Sequence, residues 1–373
     1  MNRSLILATA GLMPDQLNDT ENRRYPRVDY LELQRLLNAD VLDYGVYEHT
    51  TIGKWLRRLE TRVHSDLYLT LLGLLRRHRY GLVFTMSERA GIPYAGLQRL
   101  LPGRRQLVSM IHSWSWRQER AFTGLKWHTT ADAIIVHCQS MRRHLIGLGA
   151  DPAQVHVIPY SVDERFFRPE DSGQAQPGFI LSVGEPRTRD YASLFKAVES
   201  LPLRLCVAAS GIWYARESKT RLGAVVPANV TVSRHLPRPE LRTLYARSQF
   251  VVLPLRNSIA SYGATASLEA ACMGRAVVAN GGRGLRDYVI HGVTGLLVEP
   301  GDPGALQEAI AYLWAHPEEA QRMGQNGRQR IEEELNLDRY VGRLASLIEA
   351  HSAAPAREPA RQAAVQGTQI HSD

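Results

Sequence analysis

Two doubly wound α/β domains facing across a cleft are the fold this sequence predicts, and three observations predict it. Short apolar runs alternate with helix-length segments from Leu5 onward, as strands of a parallel sheet alternate with their crossover helices. The alternation starts afresh at Phe179-Ile180-Leu181-Ser182-Val183-Gly184. The chain has 373 residues, more than one core usually serves, and at 44% hydrophobic it can bury two.

Within residues 1–167, the first domain, Leu5 to Ala8, Val41 to Tyr44, Leu82 to Met86, Leu107 to Ile111 and Ala133 to Val136 are the strand candidates. They are almost uniformly apolar, as strands covered on both faces must be. Residues 168–178 mix proline, glycine and charge and read as a linker. The second domain, residues 179–350, continues with strands at Leu203 to Ala208, Val230 to Ser233 and Val251 to Leu253, which Pro254 ends. Ala264 to Met273 carry the small and apolar residues of a packed helix, stopped by Gly274. A strand at Ala276 to Ala279 follows, and Asn280-Gly281-Gly282-Arg283-Gly284 forms a loop that backbone-binding ligands can approach closely. Gly295 to Val298 lead to Gly301-Asp302. Asp302-Pro303 opens a helix to about Ala315, and Glu318 to Ile348 supply more helix. Residues 351–373 lack a core pattern and read as a disordered tail.

Composition narrows the function classes. No run approaches the roughly eighteen apolar residues of a membrane span, and the start, Met1 to Ala8, reads as a first strand rather than a signal peptide, so a cytoplasmic location is expected. Cys138, Cys206 and Cys272 are odd in number and set in apolar surroundings, which favours buried thiols over disulfides or a metal site. The net charge of +8 is nearly all arginine, the only lysines being Lys54, Lys126, Lys196 and Lys219. Arginine's planar fork suits phosphate. No nucleic-acid-binding motif accompanies the charge, and no nucleic acid is expected as a partner.

From Ile52 to His78, the apolar residues Trp55, Leu56, Leu59, Val63, Leu67, Leu71 and Leu75 recur at helical spacing among Arg57, Arg58, Arg62, Arg76, Arg77 and Arg79. Two readings stand: a core helix with a solvated arginine face, divided near Asp66, or peripheral contact of Ile52 to Arg79 with the inner face of a membrane.

The candidate chemistry centres on Glu269. The first amides of the 264–273 helix, near Tyr262, Gly263, Ala264 and Thr265, have no intrahelical partner, and the helix dipole favours an anion such as a phosphate there. Glu269 lies roughly 9 Å further along the axis, but its side chain leans back toward the helix start. It could accept hydrogen bonds from a ribose whose diphosphate sits on the amides. The surrounding alanines, serine and cysteine argue that it is buried rather than a solvated glutamate.

These residues resemble the nucleotide-binding half of the family 4 glycosyltransferases, retaining enzymes of GT-B architecture with two Rossmann-like domains. The resemblance extends to Val155 to Asp163 with Phe167, like that family's inter-domain segment. It also covers Pro237 to Pro254 with Leu241, Leu244 and Tyr245, and Gly295 to Val298 followed by Gly301-Asp302, all in matching order. It implies that the last helix crosses back to the first domain. It also implies a donor-sugar contact from His112 at a strand end, and backbone approach to the sugar at Gly11. Gly184-Glu185-Pro186-Arg187-Thr188-Arg189-Asp190 follows a parallel strand, where ligands collect. Arg187 and Arg189 are the candidates there for neutralising a diphosphate, against a structural pairing with Glu185 or Asp190. Asn18, Asp19, Arg23, Arg24 and Trp114 are acceptor-edge candidates.

Three positions depart from that family's pattern. Ser261 stands where it usually has the first of two glutamates seven residues apart, the second being Glu269; Glu185 takes the place of an arginine; and Gly284-Leu285-Arg286-Asp287 alters its glycine-leucine-proline-glutamate turn. The expected activity is metal-independent transfer of a sugar from a nucleoside diphosphate sugar to a hydroxyl of a lipid, glycan or small molecule, with retention and no cofactor. Asp-X-Asp, the metal-holding motif of the other major glycosyltransferase architecture, occurs nowhere in the chain. Ser261 and Glu185 keep a catalytically silent nucleotide-sugar-binding or scaffold protein open as an alternative, and an epimerase of the same architecture is the third reading. His112, Ser261 and Glu269 are the candidate catalytic residues.

Overall fold

The computed structural model describes residues 3–11, 24–47, 51–63, 65–112, 115–124, 126–169, 178–209, 225–234 and 236–353. Its first sheet consists of β1 (Ser4–Leu7), β2 (Asp40–Leu42), β3 (Leu82–Thr85), β4 (Gln106–Ile111), β5 (Ala133–Val136) and β6 (Val155–Val157), all parallel, in the order β2-β1-β3-β4-β5-β6. The strand order reverses beside β1, the doubly wound pattern. The strand side chains divide by alternation. Leu5, Leu7, Val83, Leu107, Ile134 and Val136 enter one core, while Ile6, Leu82, Phe84, Val108, Met110, Ala133 and Ile135 enter another on the opposite face. β6 departs from the sequence expectation, which gives its residues only to the inter-domain connection, because a three-residue edge strand carries too little pattern to register.

The first domain's helices are α1 (Asp29–Leu37), α2 (Thr51–Val63), α3 (Leu67–Arg76), α4 (Glu88–Gln98), α5 (Trp116–Gly124) and α6 (Gln139–Gly147). The segment from 52 to 78 is two helices. They part at Asp66, whose buried carboxylate takes both Arg89 at 2.9 Å and the Tyr44 hydroxyl at 3.0 Å, a tertiary anchor that a continuous helix would not permit.

The second sheet comprises β7 (Ile180–Val183), β8 (Leu205–Ala208), β9 (Val230–Ser233), β10 (Val251–Leu253), β11 (Val277–Asn280) and β12 (Gly295–Val298), parallel, in the order β12-β11-β10-β7-β8-β9. α7 (Tyr191–Val198) and α10 (Pro303–Ala315) cover one face, and α8 (Arg238–Arg247) with α9 (Ala264–Cys272) the other. The fold is thus the two-domain α/β architecture that the sequence predicts.

α11 (Pro317–Glu333) is followed by α12 (Leu337–Ala353), whose buried residues Leu337, Tyr340, Val341, Leu344, Ala345 and Ile348 pack into the first domain's core with Ile6, Tyr30, Leu33, Phe84 and Met110. The chain therefore crosses between domains twice, and the crossings are tied together. Val162 pairs with Asn336 in a parallel bridge. Arg27 donates to Asp163 at 2.9 Å, Glu164 at 3.1 Å and Asp338 at 2.6 Å, linking α1, the outgoing segment and the returning helix. Linker residues 170–177 and the tail from 354 lie outside the described residues.

Candidate active site

The carboxyl ends of β7, β10 and β11 assemble the second domain's polar residues. Gly263 starts α9 with φ of 86°, a left-handed conformation that a side chain would strain, and turns the preceding loop onto the helix axis. Glu269 projects from the second turn and is 2% exposed, so it is buried, as its small neighbours indicate. Its Oε1 accepts from Arg238 Nη1 at 2.7 Å and its Oε2 from the Tyr245 hydroxyl at 2.8 Å. Burial, and then the Glu269 charge, push the Tyr245 hydroxyl well above its ordinary pKa, so it is a fixed donor. An ionised carboxylate offers about four lone-pair directions, and these two bonds leave others for a ligand.

Sequence reasoning named Tyr245 only as a helix residue and did not single out Arg238. Arg238 lies one residue after Pro237 at the start of α8, and only the three-dimensional placement of α8 beside α9 reveals it as the counter-ion.

Of the two arginines proposed for the diphosphate, the structure separates the roles. Arg189 is 5% exposed. Its Nε donates to Val183 O at 2.9 Å, its Nη1 to Thr188 Oγ1 at 3.1 Å, and its guanidinium lies across Gly184. Burial lowers its pKa, countered by the neighbouring Tyr191 and Tyr245 hydroxyls and by the Glu185 and Glu269 carboxylates, so it belongs to the same electrostatic cluster as Glu269. The Asp190 carboxylate caps α7 through Ser193. Arg187 is half-exposed and stands 3.6 Å from Glu185, whose carboxyl burial pushes up while Arg187 and Arg189 pull it down.

The loop before α9 reaches the first domain. Ile259 O accepts from Ser140 Oγ at 2.6 Å, and Ile259, Ala260 and Tyr262 join that domain's core. Beneath the loop, a Cβ on Gly284 would lie 2.4 Å from Ala260 O, so only glycine allows this approach. The Tyr288 hydroxyl, near which the Ser261 side chain lies, donates to His137 O at 2.7 Å and accepts from Tyr160 N at 2.8 Å. Ser261 thus lies at the domain boundary. Asn280, at the end of β11, is buried, and among the described residues its Oδ1 has no hydrogen-bond partner.

Across the boundary, His112 follows β4. Its Nε2 lies 2.7 Å from Met86 O and its Nδ1 3.1 Å from His137 Nε2, so both ring nitrogens already face protein partners. A sugar contact from this ring requires it to leave one of them. His137, missed in the sequence, bonds Ile158 O through Nδ1 at 2.9 Å; burial, then the nearby His112, pull its pKa down to about 3. The apolar strand before it, Ala133 to Val136, was the available signal. Gly11 is exposed beyond β1, its Cβ position 3.0 Å from Tyr44 Cβ. Arg24 is exposed; Asn18, Asp19, Arg23 and Trp114 lie outside the described residues.

Comparison with known proteins follows this division of the chain. Residues 28–166 match the family described as Glycosyltransferase Family 4, and residues 164–330 match Glycosyl transferases group 1. D-inositol 3-phosphate glycosyltransferase 1 of Catenulispora acidiphila is 31% identical over 211 residues, covering 50% of each chain. D-rhamnosyltransferase WbpZ of Pseudomonas aeruginosa is 29% identical over 156 residues, covering 41% of this chain and 40% of its own. This chain spans about half the length of the curated relatives it matches, or less. Among solved structures, Anabaena Alr3699/HepE in complex with UDP and glucose superimposes with a TM-score of 0.67 at 16% identity, over 94% of this chain and 100% of that one. At that identity the likeness concerns the fold.

Proposed function

This chain belongs to the family 4 glycosyltransferases of GT-B fold, and from that premise we propose that it transfers a sugar from a nucleoside diphosphate sugar to an acceptor hydroxyl, with retention and without a divalent cation. The observation that carries the reading is Glu269: a buried carboxylate aimed by Arg238 and Tyr245, behind the amide-bearing start of α9, at the carboxyl end of a doubly wound sheet. The ribose hydroxyls donate to Glu269. The diphosphate takes the α9 amides and Arg187, which stabilise its charge as the glycosidic bond breaks. The sugar projects toward the first domain and His112, and the acceptor hydroxyl attacks from the face that the diphosphate leaves. No carboxylate is nominated as nucleophile.

The test is a panel of nucleoside diphosphate sugars assayed for release of free nucleoside diphosphate in the presence of chelator. UDP-glucose, the ligand named for another HepE complex, is the first donor to try. Release from one donor supports the reading. Ser261 and Glu185, which stand where the family has a glutamate and an arginine, favour one competing reading, a binding protein without turnover. Tight nucleotide binding with no release from any donor would establish that reading instead.

A further inference from the structure

The outward face of α3 is built of leucine. Its inner face, Leu69, Thr70, Gly73 and Leu74, is buried, yet Leu67, Leu71 and Leu75, spaced by four, are 47%, 50% and 64% exposed. No charged residue falls between Leu67 and Leu75. Leu97, Leu100 and Leu101, at and beyond the end of α4, are exposed as well. α3 and α4 pack together, and Arg77 Nη2 donates to Pro102 O at 2.7 Å, which joins the end of α3 to the turn that follows α4. Scattered exposed leucines are ordinary, but six gathered on α3, the end of α4 and the turn after it mark an interaction surface.

The charges beside it select the occupant. Arg76, Arg79 and Arg99 are exposed at the same helix ends, with His78. A second copy of this face would bring like charges together, whereas anionic lipid headgroups complement them while the leucines enter the acyl boundary. We infer that the face formed by α3 and the end of α4 rests on an anionic lipid bilayer. The surface is narrower than the segment from Ile52 to Arg79 suggested by sequence, and it extends to residues 97–101, which that segment did not include. Leu67 adjoins Asp66, which is bonded to Arg89 in the first turn of α4, just after β3, so the face runs up to the carboxyl-end rim of the first sheet. On the glycosyl-transfer reading, this makes a lipid or lipid-linked hydroxyl the acceptor.

The experiment is sedimentation of the full chain with phosphatidylglycerol-containing vesicles and with phosphatidylcholine vesicles, at low and high salt. Binding to the anionic vesicles alone, weakened by salt, is expected, and Leu71→Glu with Leu75→Glu should lower partitioning on the order of tenfold. Absence of binding at low salt, or binding that the double substitution leaves unchanged, overturns the inference. So does a dimer in sedimentation velocity that the same substitution dissociates, which would assign the face to a second copy. Donor hydrolysis without vesicles, measured on wild type and variant, separates the two proposals. It should persist in both proteins, and its absence from wild type would refute the transfer reading while leaving membrane binding to its own assay.

Discussion

Substituting Glu269 tests two physical effects that must be separated. Glu269→Ala leaves the Arg238 guanidinium, largely buried, and the fully buried Tyr245 hydroxyl without their acceptor. Removing one member of such a pair costs about 3 kcal/mol, or ~6–12 °C in Tm for a domain of this size. Loss of nucleotide binding in that variant would therefore say little about ribose. Glu269→Gln is the sharper probe, because its carbonyl still accepts one of the two bonds, and its stability cost should be about 1 kcal/mol. The ligand supplies the control: calorimetric affinities for a nucleoside diphosphate and its 2′,3′-dideoxy analogue are compared in each protein. A charge-assisted bond from ribose to Glu269 is worth about 1.5–3 kcal/mol, so wild type should discriminate by roughly ten- to 150-fold. A neutral bond in Glu269→Gln should reduce this to between about twofold and tenfold. A folded Glu269→Gln protein that kept the full wild-type discrimination would falsify the ribose assignment and leave Glu269 as a structural partner of Arg238.

Other outcomes follow from neighbouring features. Turnover should survive excess EDTA; loss that Mg²⁺ or Mn²⁺ restores would show that amides and Arg187 do not suffice for the leaving diphosphate. Because folded His137 titrates near 3 rather than 6.5, the unfolded chain binds more protons between those values. Stability is therefore fully present above about pH 6.5 and is lost toward pH 3, with a slope near 1.4 kcal/mol per unit for this group. Urea midpoints across that range should fall with pH in wild type and flatten in His137→Phe. Gly284→Ala should displace the loop from 258 to 261 and weaken donor turnover more than global stability, measured as kcat/KM beside Tm. Ser261→Ala should alter the preference among donor sugars while leaving affinity for the free nucleoside diphosphate nearly constant.

Both sheets were legible because their central strands are buried on both faces, which writes them as unbroken apolar runs such as Ala133 to Val136 and Val251 to Leu253. β6 was not, since an edge strand of three residues needs less burial and shares its sequence with a connection. At the site, Glu269 was readable as a buried acid because α9 places it among alanines. Arg238 and Tyr245 were not readable as its partners, because a hydrogen bond across thirty residues depends on helix placement, which no local pattern records. The same holds for Arg189: sequence shows a cation after a parallel strand, and only coordinates show that it bonds Val183 O.

The return of α12 to the first domain sets the order in which this protein can be completed on the ribosome. The face of the first sheet carrying Ile6, Phe84 and Met110 is synthesised early, yet part of its cover arrives only with Leu337 to Ile348. The second domain lies wholly between and can close its own core first. The domain begun first is thus finished last, its apolar face waiting through the synthesis of its neighbour. A fragment cut at the linker would inherit that unfinished face permanently. Expression of the first domain alone therefore calls for α12 to be grafted onto it, with Asp338 restored to Arg27.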